Sequence, residues 1–233
     1  MPEPYYTDEQ VTLFLGDCLE ITDWLKADVL VTDPPYGTEG ISLDNAQGGY
    51  GRRQRHKYGR ADLYDRHDGQ LPGVIANDTT TEIRDAILTL WANRPACIFG
   101  SPRLPEPPGD WTDRLVWDKR RPGINGGPWR YRHESIFVTA GFERRNNESF
   151  SILSAYPSDQ RLHIHSKPVP LMTALIECAP SGAIADPFAG SGSTLVAARN
   201  LGRRAIGVEI EERYCEIVAK RLDQMCLDFG NGA

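Results

Sequence analysis

The sequence predicts an α/β fold in which a mostly parallel sheet carries helices on both faces. Short apolar runs alternate with helical patterns along the chain, which is typical of βαβ units. Acidic residues directly follow several of these runs, where the carboxyl ends of parallel strands bind ligands. The chain has 233 residues, 40% of them hydrophobic and 25% charged. This size and composition favour a single folded domain over residues 1–233.

The first elements form a β-α-β unit with an acid after each strand. Residues 11–15 predict a strand that ends at Gly16-Asp17, residues 19–25 a helix, and residues 29–32 a second strand. Asp33-Pro34-Pro35-Tyr36 follows, and its two prolines fix a rigid, extended turn. This turn would hold an acid and an aromatic ring at a strand tip. Alone, such a motif is more often an ordinary strand-ending turn than a site.

The middle of the chain contains polar, basic segments between short elements. Residues 37–70 are rich in Gly, Arg, Asp and Tyr and lack a period, so we expect a mobile loop or lid there. A helix over residues 80–91 and a strand over 96–99 follow. Strands at 115–117 and 135–139 then flank a second basic stretch, and residues 141–158 are predicted to be irregular. We expect a small target-recognition region over about residues 119–160.

The last third is the most regular part of the sequence. We predict helices over residues 169–179 and 193–201, a strand at 183–185, another at 205–208, and a final amphipathic helix through Leu222. Between the first of these strands and the helix that follows it lies Asp186-Pro187-Phe188-Ala189-Gly190-Ser191-Gly192. This order of strand, glycine turn, helix and strand is typical of a nucleoside-binding half-site.

Two glycines and one acid make this half-site specific. Gly190 and Gly192 permit close backbone approach to a ligand, and Glu209 stands at the tip of the next strand, 19 residues after Gly190. A dinucleotide fingerprint requires a third glycine where Leu195 stands. The pattern therefore favours a nucleoside without phosphates. A tight turn followed by a solvated glutamate is the alternative.

Four segments resemble those of amino-methylating DNA methyltransferases. The segment from Asp186 to Gly192 resembles their S-adenosylmethionine motif, and Asp33-Pro34-Pro35-Tyr36 resembles their catalytic motif. Gly16-Asp17-Cys18-Leu19-Glu20 and His165-Ser166-Lys167-Pro168 are also similar to family segments. The catalytic motif comes first, which is the order of the β group of these enzymes. The resemblance spans about residues 11–222 and is weak in the middle.

The resemblance implies a Rossmann-like, S-adenosylmethionine-dependent methyltransferase fold with a circularly permuted motif order. Glu209 would bind the cofactor ribose, Asp17 its adenine amine, and Asp186 and Lys167 would lie near its methionine end. A solvated lysine near a helix start is the alternative for Lys167. The implied catalytic residues are Asp33, Pro34, Pro35 and Tyr36, and the implied cofactor-binding residues are Asp17, Asp33, Lys167, Asp186, Phe188, Ala189, Gly190, Ser191, Gly192 and Glu209.

The chemistry implied at Asp33 is direct methyl transfer to an exocyclic amine. Asp33 and the carbonyl of Pro34 would accept the amine hydrogens, and Tyr36 would stack on a base flipped out of the duplex. We expect the N6 amine of adenine as the target, because family members that act on cytosine N4 more often carry Ser at the first motif position. N4-cytosine methylation is the closest alternative. A DNA-binding regulator that keeps the fold without turnover is a rival of another class.

Charge is distributed unevenly along the chain. The net charge of −6 argues mildly against a nucleic-acid partner, yet two stretches without acids can form a phosphate-binding face. Solvated charged loops are the alternative for both. The candidate DNA-binding residues are Arg52, Arg53, Arg55 and Lys57 in the first stretch, and Lys119, Arg120, Arg121, Arg130 and Arg132 in the second.

Several classes of protein are disfavoured by the sequence. The five cysteines are widely spaced and contain no Cys-x-x-Cys pair, which argues against disulfides and zinc. His163 and His165 have no carboxylate or Cys at ligand spacing, so we expect no metal. No apolar run approaches membrane-spanning length, and the N-terminus lacks a signal-peptide pattern. We therefore expect a cytoplasmic protein of a bacterial cell, or of the host of a phage, and by resemblance a possible homodimer.

Overall fold

The computed structural model describes residues 2–35, 80–120, 129, 131–145, 150–157 and 166–228. The predicted basic insert at 37–70 therefore lies outside the described residues. The same holds for His163, His165 and several residues named above as candidate site or DNA-binding residues, namely Tyr36, Arg52, Arg53, Arg55, Lys57, Arg121 and Arg130.

A single sheet of nine strands organises the described residues. Its spatial order is β1-β2-β9-β8-β3-β4-β6-β5-β7. Neighbours from β2 to β4 are parallel, whereas β6 runs antiparallel to both β4 and β5. The strands are β1 (Tyr6–Thr7), β2 (Val11–Leu15), β3 (Val29–Thr32), β4 (Ala96–Gly100), β5 (Trp111–Asp118), β6 (His133–Thr139), β7 (Ile152–Ser154), β8 (Ile184–Asp186) and β9 (Ala205–Glu209).

Helices cover both faces of this sheet. They are α1 (Glu82–Trp91), α2 (Val169–Cys178), α3 (Ser193–Asn200) and α4 (Glu212–Asp228), with a short 3-10 helix at Asp23–Lys26. Buried side chains of α1 and the 3-10 helix form one core, and those of α2, α3 and α4 form the other. Successive strand residues point to alternate faces, so Leu30 packs in the first core and Val29 and Val31 pack in the second.

The predicted helix over residues 19–25 is wrong. The carboxylate of Asp17 accepts a hydrogen bond from the Leu19 amide at 2.8 Å, and the chain turns there. Only the later residues Asp23–Lys26 form a helical turn. Of the four apolar positions that suggested a helix face, Trp24 is fully buried and Leu19 is 41% exposed. Ile21 and Leu25 are partly buried against the same core as Trp24, so the apolar residues reflect packing of an irregular segment. Trp24 stacks on Trp91 with ring centroids 5.8 Å apart.

Two strands were not predicted. Residues 141–158 were expected to be irregular, yet Ile152–Ser154 pairs with β5 as the edge strand β7. Ile152 is 60% exposed, so the strand has little of the hydrophobic alternation that identifies a half-buried strand. Strand β1 has only two residues, too few to produce a period.

Candidate active site

Four acidic residues line one edge of the sheet. Asp17 follows β2, Glu209 ends β9, Asp186 ends β8 and Asp33 follows β3. Because these strands are adjacent and parallel, their carboxyl ends meet at the same edge in this order. The structure thus brings together candidate residues from both ends of the sequence.

Glu209 is tied to the glycine turn. Its carboxylate accepts a hydrogen bond from the Gly190 amide at 2.7 Å and one from the Glu211 amide at 2.9 Å. Burial raises the pKa of this carboxyl, and the two amides partly oppose that shift. Each carboxylate oxygen can accept about two hydrogen bonds, so both amide contacts are compatible with a ribose diol. The alternative of a solvated glutamate is wrong, since Glu209 is 8% exposed.

The turn between β8 and α3 depends on glycine. Gly190 and Gly192 have φ values of +50° and +80°, a region that residues with a Cβ rarely adopt. A Cβ on Gly192 would also lie 2.7 Å from Cγ2 of Val218 on α4. The hydroxyls of Ser191 and Ser166 are 2.7 Å apart and link the turn to the segment before α2.

Replacing Gly192 by alanine should destabilise the protein more than the same change at Gly202. Both glycines have positive φ, +80° and +68°, so both variants carry the left-handed penalty of about 1–2 kcal/mol. Gly202 has nothing within 4 Å of its added Cβ. Gly192→Ala should therefore lose a further 1–3 kcal/mol, roughly the cost of overpacking. Urea unfolding of both variants measures the difference, and equal losses would contradict the contact with Val218.

Asp186 is a buried carboxyl beside β3, the strand that leads to Asp33. The hydroxyl of Thr32 donates to its Oδ1 at 2.6 Å, and the Phe188 amide donates to the same oxygen at 3.2 Å. Burial raises the pKa of Asp186 to about 6, although hydrogen bonds from Thr194 and Thr32 oppose this shift. Asp33 is the residue after Thr32. The hydrogen bond thus couples the ends of β3 and β8, where the two candidate half-sites meet.

Asp33 belongs to a charge cluster that we define as Asp33, Lys167, Glu134 and Lys119. Nζ of Lys167 forms an ion pair with Oδ2 of Asp33 and lies 3.1 Å from Oε2 of Glu134. Nζ of Lys119 lies 2.5 Å from the other oxygen of Glu134. The four charges alternate in sign, so each charge lies next to an opposite one. Three further elements of the fold, β5, β6 and the segment before α2, thereby reach the tip of β3.

The charge cluster is largely buried and lies beside aromatic rings. The Lys167 ammonium lies 4.9 Å from the ring centroid of Phe99 and 5.7 Å from that of Trp117. Burial disfavours its charged form, but the carboxylates of Asp33 and Glu134 outweigh burial and leave the pKa of Lys167 above its usual value. Burial likewise opposes ionisation of Glu134, yet Lys167 and Lys119 hold its pKa below the usual value. Both groups are therefore charged at neutral pH.

The predicted catalytic and cofactor residues occupy this edge wherever they are described. Pro34 and Pro35 are buried behind Asp33, whose side chain is 22% exposed. The side chain of Lys167 is 6% exposed, so the alternative of a solvated lysine is wrong. Phe188, Ala189 and Ser191 lie in the turn between β8 and α3. The assigned roles of these residues stay predictions, as does stacking by Tyr36, which lies outside the described residues.

Glu134 was missed by the sequence analysis. It lies on β6 two and four residues before Ile136 and Val138, which are buried on the same face. The sequence did contain a signal, because Glu134 continues the alternation of Ile136 and Val138 and so falls on the buried face of the strand. Such a residue is unusual, because a buried carboxylate requires a partner.

The second basic stretch contains no acid in its sequence, but acids from neighbouring positions lie against two of its cations in the structure. Lys119 faces Glu134, and Arg132 forms an ion pair with Asp118 at 2.7 Å, whereas Arg120 is exposed. Contact of these residues with DNA stays a prediction. Within the described ranges, no group of three His, Cys, Asp or Glu residues could hold a metal ion. No helix among the described residues has the length and apolar character needed to cross a membrane.

The chain is similar to known DNA methylases. A family model of N6/N4 type, described as DNA methylase, matches residues 82–220. The chain is 41% identical over 96 residues to the putative methylase YubD of Escherichia coli K12, a match that covers 40% of this chain and 42% of that protein. It is 22% identical over 262 residues to the type II methyltransferase M2.LlaDCHI of Lactococcus lactis subsp. cremoris, covering 96% and 93% of the two chains.

The fold is also similar to that of a solved structure. The M1.HpyAVI complex with S-adenosylmethionine superposes with a TM-score of 0.58 at 21% identity, covering 91% of this chain and 99% of the other. This likeness confirms the predicted Rossmann-like α/β fold. The helices on both faces agree with that prediction, and so does the chain order, in which β3 and Asp33 precede the glycine turn.

Proposed function

The chain belongs to the family of amino-methylating DNA methylases of the N6/N4 type, and from this premise we propose that it methylates the exocyclic N6 amine of adenine in DNA. The methyl donor is S-adenosylmethionine. One observation carries the proposal most directly. The hydrogen bond of 2.6 Å between Thr32 and Asp186 joins the strand that ends in Asp33 to the strand that opens the glycine turn.

The residues at the sheet edge suit this cofactor along its length. Glu209 offers carboxylate oxygens to a ribose diol, and the turn through Gly190 allows its backbone to approach the ligand. Asp17, two strands from Asp186, would accept from the adenine amine. Asp186 offers a negative charge to the methionine ammonium, and Lys167 lies beside Asp33 near that end. Bound S-adenosylmethionine supplies a methyl group made electrophilic by its sulfonium.

Asp33 performs the part of the reaction that the protein must supply. The lone pair of an exocyclic amine is delocalised into the base, so the amine is a poor nucleophile. The Asp33 carboxylate and the Pro34 carbonyl would each accept one amine hydrogen and aim the lone pair at the methyl group. Asp33 would also stabilise the positive charge that develops on nitrogen. This chemistry requires positioning and neither a covalent intermediate nor a metal.

The affinity for S-adenosylmethionine should fall as the pH drops through the pKa of Asp186, about 6. Ionised Asp186 attracts the methionine ammonium, and one pH unit below its pKa only about a tenth of the group is ionised. We expect roughly tenfold weaker binding at pH 5 than at pH 7, measured by isothermal titration calorimetry. Asp186→Asn should bind weakly at both pH values and show little pH dependence. A similar slope in this variant would contradict the role of Asp186.

Ionisation of Asp186 should strengthen cofactor binding but lower the free energy of unfolding. Because burial raises the pKa of Asp186 above its unfolded value of 3.8, its contribution to the free energy of unfolding is fully present below pH 3.8 and is lost as pH rises through about 6. Without cofactor, the free energy of unfolding of the unaltered protein should therefore fall relative to that of Asp186→Asn as the pH rises from about 5 to about 7.

Transfer of labelled methyl groups tests the proposed function. The protein is incubated with methyl-labelled S-adenosylmethionine and unmethylated DNA of diverse sequence, and the DNA is digested to nucleosides. We expect the label in N6-methyladenine. Label in N4-methylcytosine would replace the adenine proposal with the other activity covered by the family. Cofactor and DNA binding without label would favour a non-catalytic DNA-binding regulator.

The similarity to type II methyltransferases suggests a role in restriction and modification, in the bacterial cytoplasm where the DNA is found. Sequencing DNA from a methylation-free host that expresses the protein, with detection of modified bases, would reveal the recognition sequence. A single methylated motif is expected for a restriction-linked enzyme.

A further inference from the structure

Glu134 occupies an unusual place for an acid. It is the second residue of β6, and its side chain is 12% exposed. The register pairs it with Trp117 of β5, and the next residue, Ser135, pairs with Gly100 at the end of β4. Because β6 is antiparallel to β4, it begins at the edge where the parallel strands end. A reversed strand thus delivers a carboxylate to the candidate active site.

The two oxygens of Glu134 have different partners. Oε1 lies 2.5 Å from Nζ of Lys119, and Oε2 lies 3.1 Å from Nζ of Lys167. Lys167 is therefore held between the carboxylates of Glu134 and Asp33. A buried ammonium requires such compensation, and removing one partner of a buried ion pair leaves an uncompensated charge. Together the charge cluster has two positive and two negative charges.

Fixing Lys167 also fixes Asp33. Lys167 binds Oδ2 of Asp33, and the two oxygens of a carboxylate are joined in a rigid plane, so the direction of Oδ1 is set at the same time. The positive charge of Lys167 has a second effect. It opposes the positive charge that develops on the target amine, and a second carboxylate beside Lys167 offsets this opposition.

We propose that Glu134 is a positioning residue for methyl transfer, which acts by holding Lys167 against Asp33 and by balancing the charge of Lys167. This inference rests on the proposed function, because it concerns the same reaction. Glu134 acts through Lys167 and need not contact the base or the cofactor.

The groups around Lys167 determine how the proposed role of Glu134 should depend on pH. Its ammonium faces the carboxylate of Asp33 from β3 and that of Glu134 from β6, with the rings of Phe99 from β4 and Trp117 from β5 beside it. Lys119 lies on the far side of Glu134. Burial favours the neutral form of Lys167, and the carboxylates of Asp33 and Glu134 favour its charged form. Loss of the Glu134 charge leaves only one of these two carboxylates, that of Asp33, to oppose burial. The pKa of Lys167 would then fall, and Lys167 would release Asp33 at lower pH.

Glu134→Gln tests the inference in single-turnover methylation of DNA at saturating cofactor. We expect the rate constant to fall about 10- to 100-fold, since a misplacement of about 1 Å can cost about 100-fold. The alkaline limb of the pH-rate profile should move to lower pH, which a merely structural role would not cause. Cofactor affinity should stay within about threefold, roughly 0.7 kcal/mol. Glu106→Gln is the matched control, because Glu106 forms an exposed ion pair with Arg114, and its rate and profile should be unchanged.

The outcomes separate this inference from the proposed function. If the unaltered protein methylates DNA while Glu134→Gln has an unchanged rate and pH profile, the inference is overturned and the function stands. If the unaltered protein transfers no methyl group to DNA, both fail. Should Glu134→Gln not fold, Glu134→Asp keeps the charge on a shorter side chain. Its rate should fall while the alkaline limb stays in place, and an unchanged rate would overturn the inference.

Discussion

Replacement of Asp33 by alanine is expected to remove most of the methyl transfer, whereas the protein should still bind the cofactor through its other contacts. In the proposed mechanism the side chain would supply an acceptor for the target amine and a negative charge beside it. Removing one preorganised group that stabilises developing charge typically costs about 100- to 1,000-fold in kcat, and we expect a loss of this size. Single-turnover methylation and calorimetric titration with S-adenosylmethionine measure the two quantities separately.

Asp33→Asn distinguishes the two contributions of the side chain. The amide keeps an oxygen acceptor but loses the charge that pairs with Lys167 and that would stabilise the developing charge on the amine. If the charge matters, the asparagine variant should be far slower than the unaltered protein and faster than Asp33→Ala. Asp113→Ala, a change at an exposed position of β5, is the control and should behave like the unaltered protein. Turnover of Asp33→Ala within threefold of the unaltered protein would remove Asp33 from the mechanism.

Replacement of Glu209 by alanine should weaken cofactor binding about 10- to 100-fold, or about 1.4–3 kcal/mol, the range for hydrogen bonds to a charged group. Two effects combine in this variant. The proposed acceptor for the ribose is lost, and the amides of Gly190 and Glu211 lose the acceptor that they have in the structure, so the glycine turn should also loosen. The dissociation constant measured by calorimetry tests the expected loss.

A second substitution at Glu209 separates the direct contact from the loosened turn. Glu209→Gln keeps one oxygen acceptor and should lose less affinity than Glu209→Ala. Glu216→Ala, on the exposed side of α4, serves as the control and should bind the cofactor normally. An unchanged dissociation constant in Glu209→Ala would mean that the ribose is held elsewhere.

The parts of the fold that follow local rules could be predicted from the sequence. The strands Val29–Thr32 and Ala96–Gly100 are buried at every position, and a short continuous apolar run is the pattern expected of a strand with both faces covered. The glycine turn before α3 was recognisable from Gly190 and Gly192 between a strand and a helix, and the structure shows the left-handed backbone that favours glycine at Gly192. Acids that directly follow such strands must then gather at one edge, and Asp33, Asp186 and Glu209 do.

The remainder depends on contacts between distant residues, which a local pattern does not contain. Lys167 looks like an ordinary lysine before a helix, and only the fold reveals that Asp33 and Glu134 lie against it. The basic stretch from Lys119 to Arg132 contains no acid, yet Glu134 and Asp118 neutralise two of its cations in space. The prediction of a helix over residues 19–25 failed for a related reason, because Ile21, Trp24 and Leu25 pack against the core from a segment that is mostly not helical.

The sheet order has a consequence for how the protein folds during synthesis. Strand β2, which precedes Asp17, pairs with β1 and with β9, whose residues 205–209 are made last among the strands. Strand β3 likewise gains its β8 neighbour late. Until the ribosome has passed residue 209, the nascent chain exposes unpaired strand edges, which are prone to aggregation. Such non-local pairing also slows folding. Expression at low temperature or with chaperones should therefore raise the soluble yield, and the candidate cofactor site can form only after synthesis has passed β9.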